Sequence, residues 1–144
     1  MKLFDPLTIN GMTLKNRIVM PPMQLRLGVG NPRARAYYLA RAQGGAGAII
    51  MCATAVDLLM DDAAWGRADG VRRFVDTMRT FTDEVRQTGA RIGIQLWHGN
   101  YWPAGSGGER PEAEQVAPST TDERRALTVA EIQAIIGKFA GAAA

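Results

Sequence analysis

The apolar positions of this chain change period along its length, and each change marks an element. Arg17-Ile18-Val19-Met20 is a short apolar stretch stopped by Pro21-Pro22. Proline donates no ladder hydrogen bond, so a short strand ending there is predicted. After Pro32, the stretch from Ala34 to Gln43 holds strong helix formers, with Tyr37, Tyr38 and Ala42 available for packing, and Gly44-Gly45 ends it. Ala48-Ile49-Ile50-Met51 is nearly continuous and apolar, the pattern of a strand covered on both faces. From Val71, the residues Phe74, Val75, Met78, Phe81 and Val85 fall at helical spacing, and Gly89 closes that helix. Ile92, Ile94 and Leu96 follow in a strand-like stretch with Gly93 between them. Thr128 and Glu131 stand at capping-box spacing ahead of Ile132, Ile135, Ile136 and Phe139, which predicts a last helix.

The order is therefore strand–helix three times, and alternation of this kind implies a parallel sheet with helices outside it. A Gly-, Pro-, Glu- and Ser-rich insertion at about 98–127 separates the third strand from its helix. A structureless stretch of that length is a functional loop or a disordered one. The final residues, Lys138 to Ala144, run out within a helix without a stop signal. Three parallel strands leave two open edges and a thin core. The sheet is expected to continue, in a missing C-terminal segment or in a second chain, which makes the chain aggregation-prone or partnered on its own.

Composition narrows the chemistry more than it names it. With 144 residues and 47% apolar content, the chain has a one-domain length and material for a core. One cysteine and one histidine exclude an internal disulfide, a multi-cysteine metal or iron–sulfur site, and any His₂ or His₃ metal site made by this chain alone. No metal is expected. No stretch approaches the apolar length of a membrane span, and MKLFDPLTING lacks the apolar run of a signal peptide. The expectation is a soluble cytoplasmic protein. The net charge of +3 conceals an excess of basic residues in 1–50, seven Lys or Arg against Asp5 alone. They are spread through turns and one helix, so a solvated face is the expectation and nucleic-acid binding is not.

Four stretches together resemble the N-terminal part of the old yellow enzyme family: LFDPLTINGMTLKNRIVMPPM at 3–23, YYLARAQGGAGAIIMCATAV at 37–56, ARIGIQLWHG at 90–99 and VAPS at 116–119. Their order and spacing carry the resemblance more than any single motif. It implies an FMN-binding (β/α)8 TIM barrel of which this chain supplies the first three βα units, incomplete as given, with 1–144 as the N-terminal portion of that domain. The family's many ene-reductases pass hydride from NAD(P)H through FMN to an activated alkene such as an enone or dienoyl thioester. Its relatives include amine dehydrogenase-like flavoproteins, some carrying an iron–sulfur centre. The remaining alternatives are a non-catalytic barrel fragment acting as scaffold or assembly subunit, and a small independent domain that binds acidic partners. An oligomer and a small-molecule substrate are expected.

Barrel active sites form at the C-terminal ends of the strands. By resemblance, Pro21, Pro22 and Met23 line the flavin ring; without it, they read as a plain strand breaker. Gln24 stands where relatives often carry Thr or Cys, and its longer amide donates a hydrogen bond from a different reach. Ala53 falls where the family keeps a small residue against the ring. Cys52 beside it reads as a buried, inert thiol. Gln95 both donates and accepts, which suits the C=O and N–H edge of an isoalloxazine. A glutamine buried in a strand is costly without a partner, and neighbouring backbone is the other group able to satisfy it. Trp97 resembles a pocket aromatic, and core or lid packing fits it equally.

His98 matches a recurrent family histidine, but the usual Gly-Arg beyond it is replaced by Gly99-Asn100-Tyr101-Trp102-Pro103. Three roles stay open for it: chemical participant, flavin or pocket contact, or structural strand end. The donor pair that polarises the substrate, the proton-donating tyrosine and most phosphate-binding elements lie beyond the third unit in the family. No catalytic residue is therefore assigned to this chain.

Overall fold

Two glycine-dependent turns and one buried asparagine set the frame on which the rest is built. The computed structural model describes residues 2–25, 27, 30–56, 59, 68–98, 116–122 and 124–144. By its contacts the chain divides into two units, 1–53 with 72–95, and 54–71 with 96–144.

The first unit opens with a hairpin of β1 (Leu7–Ile9) and β2 (Met12–Leu14), with Leu7 opposite Leu14. Asn10 and Gly11 make the turn with φ of 43° and 85°. Two successive left-handed residues match the twist of a two-residue hairpin, and Asn-Gly is the pair that tolerates it best. Leu14 is buried, whereas Leu3, Phe4, Ile9 and Met12 are exposed. Two side-chain to backbone bonds tie the hairpin to residues far along the chain. Lys15 Nζ donates to the Thr88 carbonyl at 2.7 Å, and Arg91 Nε donates to the Thr13 carbonyl at 3.3 Å.

The three predicted strands form one sheet in the order β3 (Val19–Met20), β4 (Ala48–Ala55), β5 (Arg91–Trp97). β3 runs parallel to β4, with Val19 opposite Ala48 and Met20 opposite Ile49. Arg91 N–H donates to the Gly47 carbonyl, so β4 and β5 also start side by side. β3 is shorter than the predicted Arg17–Met20 because the Ile18 N–H bonds to Asn16 Oδ1 at 3.0 Å rather than to a strand. β4 is longer than predicted, continuing through Cys52 and Thr54 to Ala55.

Asn16 is buried and also donates from Nδ2 to the Gly45 carbonyl at 2.8 Å, joining the start of β3 to the turn before β4. That approach demands a glycine at 47. A Cβ there would stand 2.5 Å from both the Asn16 backbone oxygen and its Oδ1, closer than any real contact.

Helix α1 (Pro32–Gln43) begins ahead of the predicted Ala34, because Asn31 caps it by accepting from Arg33 N–H and Pro32 fills the first turn. It buries Ala34, Tyr38 and Ala42. Helix α2 (Gly70–Gln87) buries Phe74, Met78, Phe81 and Val85, one stripe at alternating spacings of four and three. Val75 was expected in that stripe and is 44% exposed. It sits one residue from Phe74, about 100° round the helix. Tyr38 and Phe81 are fully buried, with ring centroids 6.3 Å apart, and each large side chain so buried contributes about 2–3 kcal/mol. Arg35 Nη2 bonds to Glu84 Oε1 at 2.7 Å across the two helices, and Arg41 stacks on Tyr37.

In the second unit, β6 (Val116–Ala117) pairs in parallel with β7 (Arg125–Ala126). Most of the insertion predicted at 98–127 lies outside the described residues, and its described end is thus paired rather than structureless. Helix α3 (Val129–Ala143) carries the predicted capping box, with Thr128 and Glu131 each bonding the other's backbone. Its apolar stripe contains no buried residue: Ile132 and Ile136 are exposed, Ile135 and Phe139 half-buried. Among the described residues no helix is long and apolar enough to cross a membrane.

Candidate functional site

A parallel sheet collects the C-terminal ends of its strands along one edge, so residues distant in sequence emerge together. In the first unit that edge carries Pro21 to Gln24 after β3, Cys52 and Ala53 in β4, and Gln95 in β5. Counting on from Arg91 in step with β4 puts Gln95 level with Cys52.

Exposure along β5 alternates. Arg91, Gly93 and Gln95 are exposed, while Ile92 and Ile94 are half-buried. The expectation that Gln95 is buried and must find a partner is not met in this chain; its amide stands on the open face of the strand. An open face at a strand end leaves both its donor and its acceptor for a ligand. Gly93 adds no side chain to that face, and a Cβ placed there would meet nothing within 4 Å.

The other sequence-derived residues distribute unevenly. Pro21, Met23 and Gln24 are exposed, and Pro22 and Ala53 are half-buried. Met23 Sδ accepts a long bond of 3.7 Å from the Tyr37 hydroxyl, which orients the methionine from α1. Trp97 ends β5 and is half-buried, and His98 follows it, also half-buried, in the second unit. The continuation from Gly99 to Pro103 lies outside the described residues.

Cys52 is a buried thiol outside any disulfide, as expected. Its backbone is held in a way the sequence reading missed: the Cys52 N–H donates to the Tyr38 hydroxyl at 3.1 Å. Burial pushes the Tyr38 phenol up to about 12, against the opposing pull of that N–H, so the hydroxyl stays neutral. Asn16 and Gly47 were also missed, because their contact joins positions about 30 residues apart in sequence and carries no local signal. In the second unit, Arg125 grips Glu131 through both guanidinium nitrogens at 2.9 and 2.6 Å. That fork, with the bonds from Thr128, holds the Glu131 carboxyl far below the usual carboxylate range. Among the described residues no group of three His, Cys, Asp or Glu side chains is placed to hold a metal.

Comparison with known proteins gives the arrangement its relatives. The pattern of the NADH:flavin oxidoreductase / NADH oxidase family matches residues 2–144. An NADPH dehydrogenase of Bacillus subtilis is 38% identical over 107 residues, covering 67% of this chain and 30% of its own length. An NADPH dehydrogenase of a Geobacillus strain is 37% identical over 154 residues, covering 95% of this chain and 42% of its own. The structure of an old yellow enzyme homologue from Zymomonas mobilis matches 98% of this chain and 44% of its own, at 27% identity and a TM-score of 0.69. The chain thus spans less than half the length of these relatives, and its three βα units correspond to the N-terminal part of their barrel. With the strand order, the open C-terminal edge and these matches in agreement, the chain belongs to the NADH:flavin oxidoreductase / NADH oxidase family, that of the old yellow enzymes.

Proposed function

We propose that residues 1–144 form the N-terminal wall of the FMN site in a single barrel domain of an NAD(P)H-dependent oxidoreductase. The observation that carries this reading is the exposed amide of Gln95 on β5, at the same C-terminal edge of the sheet as the small Ala53 and the turn Pro21-Pro22-Met23-Gln24. These groups suit a flat heterocycle. The Gln95 amide offers a donor and an acceptor to the ring's C=O and N–H edge, and Ala53 lets the ring approach. Pro21 and Pro22 turn the chain and leave carbonyls, not N–H groups, to face the ligand. Gln24 adds an amide donor near the ring carbonyl.

FMN, when bound, supplies the hydride chemistry between NAD(P)H and an activated alkene such as an enone or dienoyl thioester. The names of the Bacillus and Geobacillus relatives support NADPH as reductant. What this chain does is hold and orient one face and edge of the cofactor. The groups that polarise the substrate and deliver its proton come from the rest of the barrel. A small-molecule substrate and an oligomeric, cytoplasmic enzyme complete the reading.

The test is Gln95→Ala in the intact protein. Losing one paired amide raises the FMN dissociation constant about tenfold, read by quenching of flavin fluorescence on titration. An unchanged affinity removes Gln95 from the site.

A further inference from the structure

We propose that the Tyr38 hydroxyl is a positioning group for the cofactor wall, taking the place of a missing strand carbonyl so that the end of β4 presents Ala53 at a fixed height. This rests on the FMN reading above.

Along a strand, N–H groups alternate between its two edges. The Ala48 N–H donates to the Ile18 carbonyl on the β3 side at 3.2 Å. The N–H groups of Ile50 and Cys52 therefore face that same side. β3 ends at Met20, because Pro21-Pro22 terminates the pairing. Cys52 thus reaches past the end of its neighbour while still inside β4. A buried N–H left unpaired there would destabilise the strand end. Tyr38 supplies the acceptor instead, from α1, at 3.1 Å.

The surrogate is rigid. Tyr38 is 1% exposed. Its ring packs edge-on to Tyr37 at 5.5 Å and against Phe81 at 6.3 Å. A phenylalanine would fill the same space, so packing alone gives no reason to bury a hydroxyl, which costs free energy unless it is paired. The bond to Cys52 is that pairing. Ala53 is the next residue in β4, so a loosened Cys52 shifts the backbone that carries Ala53 at the strand end. Displacements of about 1 Å at a positioned group are enough to matter in binding and catalysis.

The experiment compares intact wild-type protein with Tyr38→Phe, which keeps the ring and removes the acceptor. The expected result is an FMN dissociation constant raised about fivefold, and a shift of the bound flavin's visible band at saturating FMN. A role in packing alone leaves that band where it is. Backbone amide exchange of unsubstituted protein gives a second measurement that does not depend on the variant folding. The Cys52 amide should exchange as slowly as those within the β3–β4 ladder, and exchange at the rate of an open amide would overturn the proposal. Unchanged affinity and spectrum in Tyr38→Phe would overturn it too, leaving the FMN reading intact. Wild-type protein that takes up no FMN would overturn both.

Discussion

Replacing Asn16 by alanine removes two hydrogen bonds at once and strands both their partners. Nδ2 holds the Gly45 carbonyl at 2.8 Å, and Oδ1 holds the Ile18 N–H at 3.0 Å, in a side chain 7% exposed. A hydrogen bond contributes about 1 kcal/mol net, and leaving a buried partner unsatisfied costs about 1–3 kcal/mol. Water reaches a half-buried turn partway, so the expected loss is about 2–4 kcal/mol, at the upper end of single-site effects. Urea denaturation of the intact protein, followed by tryptophan fluorescence, measures it. Asn16→Asp separates the two bonds. It keeps the acceptor for Ile18 but sets a carboxylate oxygen against the Gly45 carbonyl, which raises the carboxyl's folded-state pKa. A raised folded pKa means the aspartate contributes best below its unfolded value of about 3.9. The deficit against wild type then grows as pH rises through the folded value. An alanine variant within about 0.5 kcal/mol of wild type, or an aspartate variant whose deficit ignores pH, would refute the assignment of this asparagine as the joint between β3 and the turn.

Other perturbations probe separate parts of the chain. Gly47→Ala drives a Cβ into Asn16 and should cost about 1–3 kcal/mol in the same denaturation assay. Its effect should be smaller in an Asn16→Ala background, where one of the two clashing oxygens is gone; strict additivity would argue against the clash. Glu131, with its carboxyl held low, stabilises the first turn of α3 above the ordinary Glu pKa of about 4.3, and that stabilisation is lost as pH falls toward the depressed value. Glu131→Gln should flatten the acid dependence of amide exchange in that turn, and identical profiles would count against the Arg125–Glu131 fork. The Gln95→Ala and Tyr38→Phe titrations test the cofactor wall itself.

The strand–helix alternation was readable because each element carries its own period. Phe74, Met78, Phe81 and Val85 repeat at helical spacing, Ala48 to Met51 run unbroken, and Thr128 with Glu131 announce α3. What escaped were features made by geometry between elements. The β1–β2 hairpin had a local signal in Ile9-Asn10-Gly11-Met12, between alternating apolar and polar residues, but the opening residues drew attention as a possible leader and as part of the family resemblance, not as a hairpin. The Tyr38 hydroxyl had none. Its helical position predicts a buried ring, but its partner is a backbone N–H whose vacancy depends on where β3 stops. Val75 was misplaced because an apolar type alone does not fix which side of a helix a residue occupies. The site was legible as a set of strand ends. The exposure of Gln95 was not, since it depends on what stands opposite β5, and the sequence of one strand is silent on that.

The ties at Lys15 and Arg91 have a consequence for synthesis. They join positions 73 and 78 residues apart. A ribosome adding about 5–20 residues per second takes roughly 4–15 s to deliver the second partner after the first. The hairpin is therefore born early and docks late. Docking waits on Thr88 and Arg91, which appear only after α2 has been made. The N-terminus of this chain thus fastens as a closing step, and a truncation that removes it would leave α2 without the lysine at its last turn.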